Sequence, residues 1–230
     1  MKLFDYNSKF MAFLRTTADL IILNVLYVLC SLPVVTIGAS QAGLYTALRE
    51  ISDRDGNNSV SRSFFKGFKN GFGKITALWS AFLAGIVLLG YSVFFLYQAM
   101  KKGVVTTKAP IRVATIGLLL LCTISSQLML FHSRFDCKPM QLLKNSIIMT
   151  FGHPIRSLLI GIVFWLPAIV IIVDGYTFIR ITPLWIAIYY SLAGLISSAL
   201  MNKPYEKIIY PNGKPQETQN ENSEEDDESE

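Results

Sequence analysis

Two histidines, three cysteines and a few polar side chains inside apolar runs are the residues of this 230-residue chain that could do chemistry. His132 and His153 bracket a segment that also holds Asp136 and Cys137, the side-chain types of a zinc site or of a Cys–His nucleophile pair. A metal needs three or four converging ligands, and this spacing matches no metal motif, so no metal and no cofactor are expected. The chain contains no G-x-S-x-G elbow, no H-E-x-x-H and no phosphate-cradling P-loop. No apolar run supplies a central carboxylate, which argues against an aspartyl intramembrane protease and an ion-coupled transporter. Cys30 and Cys122 lie in apolar runs, and with Cys137 they read as buried structural thiols. Asn24 and Gln127 fall at membrane depth, with Ser31 and Thr36 nearby and Asp19 and Asp174 at run boundaries. Hydrogen bonding between helices is the expected role of Asn24, Ser31 and Thr36.

The elements that must position these residues are set by composition. Hydrophobic residues make up 52% of the chain and charged residues 16%, against roughly 25% charged in typical soluble domains. Mean hydropathy is +0.42. Residues 1–211 hold 20 Lys and Arg against 8 Asp and Glu, whereas residues 212–230 hold one Lys against 8 acids. These figures exclude an ordinary soluble enzyme, a disulfide scaffold and a DNA-binding module. The basic residues flank apolar runs, so the expected polar partner is the anionic lipid headgroup and not nucleic acid.

A bilayer core of about 30 Å needs about 20 apolar helical residues. Five stretches qualify: 20–36, 75–100, 111–131, 155–173 and 183–201. The expected fold is an all-α polytopic membrane bundle, because helices satisfy their own backbone in lipid. Thr182–Pro183 reads as a helix start, Asp174–Gly175 as the turn closing the fourth span, and Pro167 as a kink within it. The first 19 residues read as an amphipathic lead-in helix, with Phe4, Phe10, Met11, Phe13 and Leu14 on its apolar side, and not as a cleaved signal peptide. Residues 212–230 cannot bury a core and read as a disordered, solvated acidic tail within an otherwise single membrane domain over 1–211.

Residues 33–51 allow two structures. Either the first span continues as one long kinked helix, or the chain turns near Pro33–Gly38 and returns as a short re-entrant helix. A simple five-span path puts 13 Lys and Arg on the C-terminal side and 8 on the other, while a turn-back gives 16 against 5. The positive-inside rule puts the C-terminus in the cytoplasm in both cases; it favours the turn-back and a cytoplasmic N-terminus.

Two further segments are amphipathic. In 61–73, Phe64, Phe65, Phe68 and Phe72 share one helical arc with Arg62, Lys66 and Lys69 beside it, which describes an interfacial anchor or a docking helix for a cytoplasmic partner. Met140, Leu143, Ile147 and Phe151 share one face of a second such helix. Both segments end in Phe-Gly before an apolar run, a short internal repeat.

LPVVTIGASQAGLY (32–45) resembles the most recognisable stretch of the YesL-like family of Gram-positive bacterial membrane proteins, through Leu32, Pro33, Thr36, Ile37, Gly38, Leu44 and Tyr45. FFKGFKNGF (64–72) and LLKNSIIMTFGHPIRSLLIGI (142–162) resemble two later blocks of that family. The resemblance implies five or six spans and no established biochemical activity. Its members are often encoded beside sugar-import ABC transporters and polysaccharide-degrading enzymes. The resulting expectation is a non-catalytic accessory or assembly component linked to ABC-type sugar import, with permease or ATPase subunits as partners. The alternatives are a small transporter or channel for a neutral solute, lined by Asn24, Gln127 and Thr36, and a membrane enzyme using His132, Cys137 or His153.

Overall fold

The computed structural model describes residues 9–52, 59–103, 107–135 and 137–209. The expected acidic tail at 212–230, Asp136 and the first eight residues lie outside them. The described residues are helical throughout: α1 (Lys9–Cys30), a 3-10 turn (Val34–Thr36), α2 (Ile37–Ser52), α3 (Val60–Lys69), α4 (Phe72–Lys101), α5 (Ala109–His132), α6 (Pro139–Gly152), α7 (Pro154–Val173), α8 (Gly175–Leu184), a π turn (Trp185–Tyr189) and α9 (Tyr190–Ile209). Four helical segments are long and apolar enough to cross a bilayer: Phe72–Lys101, Ala109–His132, Pro154–Ile171 and Ile179–Glu206, the last running continuously through the π turn.

The stretch 20–36 does not form one straight helix. α1 stops at Cys30, and the chain turns through Ser31–Pro33 and comes back as α2. The return is antiparallel. Gly194 of α9 sits against Leu48 and Leu44, near the end of α2, while Ser191, one turn away, donates its hydroxyl to the carbonyl of Leu20 on α1. The other ends of both helices converge on one cavity, through Tyr27 and Gln41. The tip of this hairpin is pinned at Trp79, whose Nε1–H donates to the Val34 carbonyl at 2.8 Å. Trp79 lies seven residues into α4, about 10 Å along a helix of about 45 Å. The hairpin therefore enters from one end of the bundle and turns back inside it.

α2 is the centre of the fold. Ten of its 16 residues are buried, from Gly38 to Leu48. Small residues allow this enclosure: Ala39, Gly43 and Ala47 repeat every four positions, the spacing that lets helix backbones approach in a membrane. One side of α2 feeds a core with Trp79, Phe82, Leu128, Met129, Ile160 and Tyr205; the other feeds a core with Leu20, Leu23, Tyr27, Phe64 and Phe164.

The buried residues crowd toward the end where α3, α6 and the last turns of α9 gather, here called the near end. Among the described residues from Leu83 to Cys122, none is buried. The far halves of α4 and α5 pack on each other and otherwise present Leu88, Tyr91, Phe95, Val113 and Ile116 outward. In water such a surface would be prohibitive; in lipid it is the ordinary solvent-facing surface.

The expected helix start at Thr182–Pro183 is replaced by an earlier one. Asp174 caps α8, its Oδ1 accepting from the Tyr176 N–H at 3.1 Å, and Pro183 lies inside the helix, just before the π turn. A proline at a first helical position and one that disturbs a helix interior look alike in sequence.

Candidate functional site

The hairpin tip collects the residues of the 32–45 block. Thr36 Oγ1 reaches back across the break to the Cys30 carbonyl at 2.6 Å, left open where α1 ends, and lies 2.7 Å from the Pro33 carbonyl, which also accepts the Thr36 N–H at 2.8 Å. Gly38 lies where α2 crosses α4 and α5: an added Cβ would stand 2.7 Å from Trp79 Cβ and 2.9 Å from Met129 Cε. Tyr45 is buried, with its ring 6.5 Å from that of Phe164 and its hydroxyl accepting from Gln41 Nε2 at 3.4 Å.

Beside the tip lies a cavity of about 220 Å³ lined chiefly by aromatic rings: Tyr27, Trp79, Phe164, Trp165 and Tyr190. The indoles of Trp79 and Trp165 stack at 6.2 Å, and Tyr27 and Tyr190 meet at 4.6 Å. Gln41 supplies the one amide side chain of the wall. Such a wall suits a neutral ring better than an ion.

Two polar nodes tie the bundle together. Asn24 Nδ2 donates to the carbonyls of Trp185 (2.9 Å) and Ile186 (2.6 Å), while its Oδ1 accepts from the Ser191 N–H at 3.0 Å. One side chain thus serves the backbone on both sides of the π turn. Tyr189 extends the same turn to α7, donating its hydroxyl to the Val163 carbonyl. That carbonyl is open because Pro167, four residues on, has no N–H to give it. The second node is Gln127, donating to Ser157 Oγ at 2.7 Å and accepting from the Tyr205 hydroxyl at 3.4 Å, which links α5, α7 and α9. Arg134 continues this line toward the near end through Ser198, Asn202 and the face of Tyr205.

The two amphipathic segments both lie at the near end. The Phe-rich one is divided at Asn70–Gly71: α3 ends at Lys69, Gly71 adopts φ +66°, and Phe72 begins α4. Phe64 is buried against α2, Phe65 and Phe72 are exposed, and the rings of Phe68 and Phe72 meet at 5.2 Å. The close approach of α3 to α2 arises at Gly43 and Gly67, where a Cβ on Gly67 would stand 3.0 Å from Gly43 Cα. On α6, Met140, Ile147 and Phe151 face outward, Leu143 is half-buried, and Leu142, Ser146, Met149 and Thr150 pack inward.

His132 is buried at the end of α5, its Nε2–H directed to the Asn70 carbonyl at 3.2 Å. Cys30, Cys122 and Cys137 are free thiols, each half-buried where full burial was expected. Among the described residues no three of His, Cys, Asp and Glu gather into a metal-binding group. The tether made by Asn24 is the role expected of it from its depth; that of Gln127, expected only as a residue at depth or on a solute path, is a finding of the structure. The aromatic cavity could not, because its walls come from α1, α2, α4, α7 and α9.

Residues 20–93 match the family described as "Protein of unknown function, DUF624". That match covers the second half of α1, all of α2 and α3 and most of α4, and so includes the turn between α1 and α2. No curated protein and no solved structure matches the chain.

Proposed function

We propose that this chain is a non-catalytic integral membrane protein that serves as an accessory or assembly component of a larger envelope complex. The YesL-like resemblance directs that proposal to ABC-type sugar import, with permease or ATPase subunits as neighbours. The observation that carries the reading is the bare α4–α5 arm, a pair of membrane-length helices with no buried residue from Leu83 to Cys122 among those described. Helices that pack on little of their own chain are available to the spans of another protein.

The polar residues argue the same way. A solute path would need Asn24, Gln127 and Thr36 along its wall, yet all three donate to groups within the bundle. On this reading the near end, with Lys66, Lys69, Lys144 and Lys203, faces the cytoplasm of a cell membrane, and both termini lie there. The chain then forms one membrane domain over 1–211 with a solvated acidic tail.

A photo-crosslinking residue placed at Tyr91, Phe94 or Ile116 in native cells tests this. Adducts with a permease, and co-purification of permease or ATPase subunits in mild detergent, are expected. Adducts with lipid alone and no co-purifying transport subunit would overturn the reading.

One observation favours a second reading, a carrier for a small neutral solute: the aromatic cavity sits at the hairpin tip, within the bundle, beside a helix break. Uptake of oligosaccharide by proteoliposomes holding this chain alone would support it, and its abolition by Gln41→Leu would localise it.

A further inference from the structure

A second hollow, of about 580 Å³, opens at the near end between α3 and the end of α5. Its walls are Thr46 of α2, Lys66, Gly67 and Lys69 of α3, and Asn70, His132 and Ser133. The chemistry is that of an anion seat. No described carboxylate lines it, and Glu50 engages Lys66 at 3.3 Å and also accepts from Ser63. Lys69 has no ion pair among the described residues, so the hollow keeps a net positive wall. Its hydroxyls are already directed inward, Thr46 donating to the Ala42 carbonyl at 2.8 Å and Ser133 to the Leu130 carbonyl at 2.7 Å. The Lys69 ammonium and the Asn70 amide, with Lys66 beside them, are therefore the donors that line the hollow for a ligand.

We propose that this hollow seats the phosphodiester of an anionic lipid. A lipid, and not a soluble phosphate, is indicated by what borders the lysines. Phe65 and Phe72 stand exposed on either side of Lys69 in the chain, and both pack their rings on Phe68. Cations beside outward-facing rings match a headgroup continued by acyl chains. The hollow is also built and not merely a run of surface lysines. Its floor is the glycine crossing of α2 and α3, and its far wall is buried His132, held to the Asn70 carbonyl that closes the α3–α4 corner. A bound phosphodiester would neutralise the α3 ammonium groups where α3 meets the end of α5, holding the amphipathic helix at the membrane surface.

Native mass spectrometry of the full chain, released from detergent and titrated with phosphatidylglycerol, phosphatidylcholine or glycerol phosphate, tests the assignment. Phosphatidylglycerol is expected to give a discrete adduct of one lipid per chain, at least tenfold more populated than with phosphatidylcholine. Lys69→Gln is expected to weaken that adduct about fivefold, and the Lys66→Gln, Lys69→Gln pair about thirtyfold, following roughly 1 kcal/mol per cation. Lys203→Gln, outside the hollow, is expected to leave it unchanged. Thermal unfolding of each variant without added lipid verifies that the fold is intact. Equal adducts with both lipids, an adduct insensitive to Lys69→Gln, or equal binding of glycerol phosphate would each overturn the proposal.

Discussion

The backbone of Gly38 rests directly on the side chain of Trp79: a Cβ added to the glycine would stand 2.7 Å from the tryptophan Cβ, while the same indole donates to Val34 four residues back. Helix crossing and turn closure are thus set by one pair. Gly38→Ala is expected to cost about 1–3 kcal/mol through overpacking, and Gly38→Leu more, because the Trp79 Cβ is fixed to the α4 backbone and can yield only if the helices part, even where the terminal methyl of Met129 swings aside. Thermal unfolding in detergent measures this; an unchanged midpoint for Gly38→Leu would show that α2 does not cross α4 there.

Trp79→Phe keeps most of the ring and removes the donor. The Val34 carbonyl then loses its side-chain hydrogen bond, at a cost of about 1 kcal/mol. Amide exchange is expected to rise over 34–37 and to stay unchanged in α6.

Asn24→Leu should be costlier than its single side chain suggests, since the carbonyls of Trp185 and Ile186 and the N–H of Ser191 all lose their partner. A loss of about 1–2 kcal/mol is expected, the upper end of measured polar contacts between membrane helices. Faster exchange at 185–191 would trace the loss to the π turn. Asn24→Asp keeps the acceptor for Ser191 but sets a carboxylate oxygen against the Trp185 and Ile186 carbonyls, and should cost at least as much as Asn24→Leu.

The hairpin geometry makes a prediction about sidedness. In a variant with Cys30, Cys122 and Cys137 changed to alanine, single cysteines at Asp5 and Asn212 should react with an impermeant reagent from the same side of the membrane, and one at Val105 from the opposite side. Reaction of Asp5→Cys and Val105→Cys from one side would mean that α1 crosses completely. Deleting residues 212–230 should leave insertion, and the reactions of the cysteines at 5 and 105, unchanged.

Much of this architecture is legible in the residues, because apolar length and charge spacing are local properties. The four long helices follow from 75–100, 111–131, 155–173 and the run beginning near 183. The interruption at Pro33–Gly38 is legible too, and the lysine and arginine distribution already favours a return. The depth of the return is not, because Trp79 and Met129 set it, and nothing in 33–51 names them. The outward face of α6 appears as spacing, since lipid selects one apolar stripe: Met140, Ile147 and Phe151 lie on it. The Phe arc of 61–73 also appears as spacing, but its division does not. Gly71 at φ +66° turns the chain, and the glycine crossing at 43 and 67 draws Phe64 into the protein. Pro183 misleads because the π turn that accommodates it depends on Asn24, some 160 positions earlier in the chain.

The enclosure of α2 also sets a timetable for biogenesis. α2 leaves the ribosome well before α9, which supplies part of its cage, including Gly194, Met201 and Tyr205. Until α9 arrives, Leu44, Tyr45 and Leu48 have one open flank toward lipid, so compaction around α2 waits for α9. A nascent chain arrested after α7 would display that flank, giving quality-control proteases a mark by which to recognise an unfinished copy.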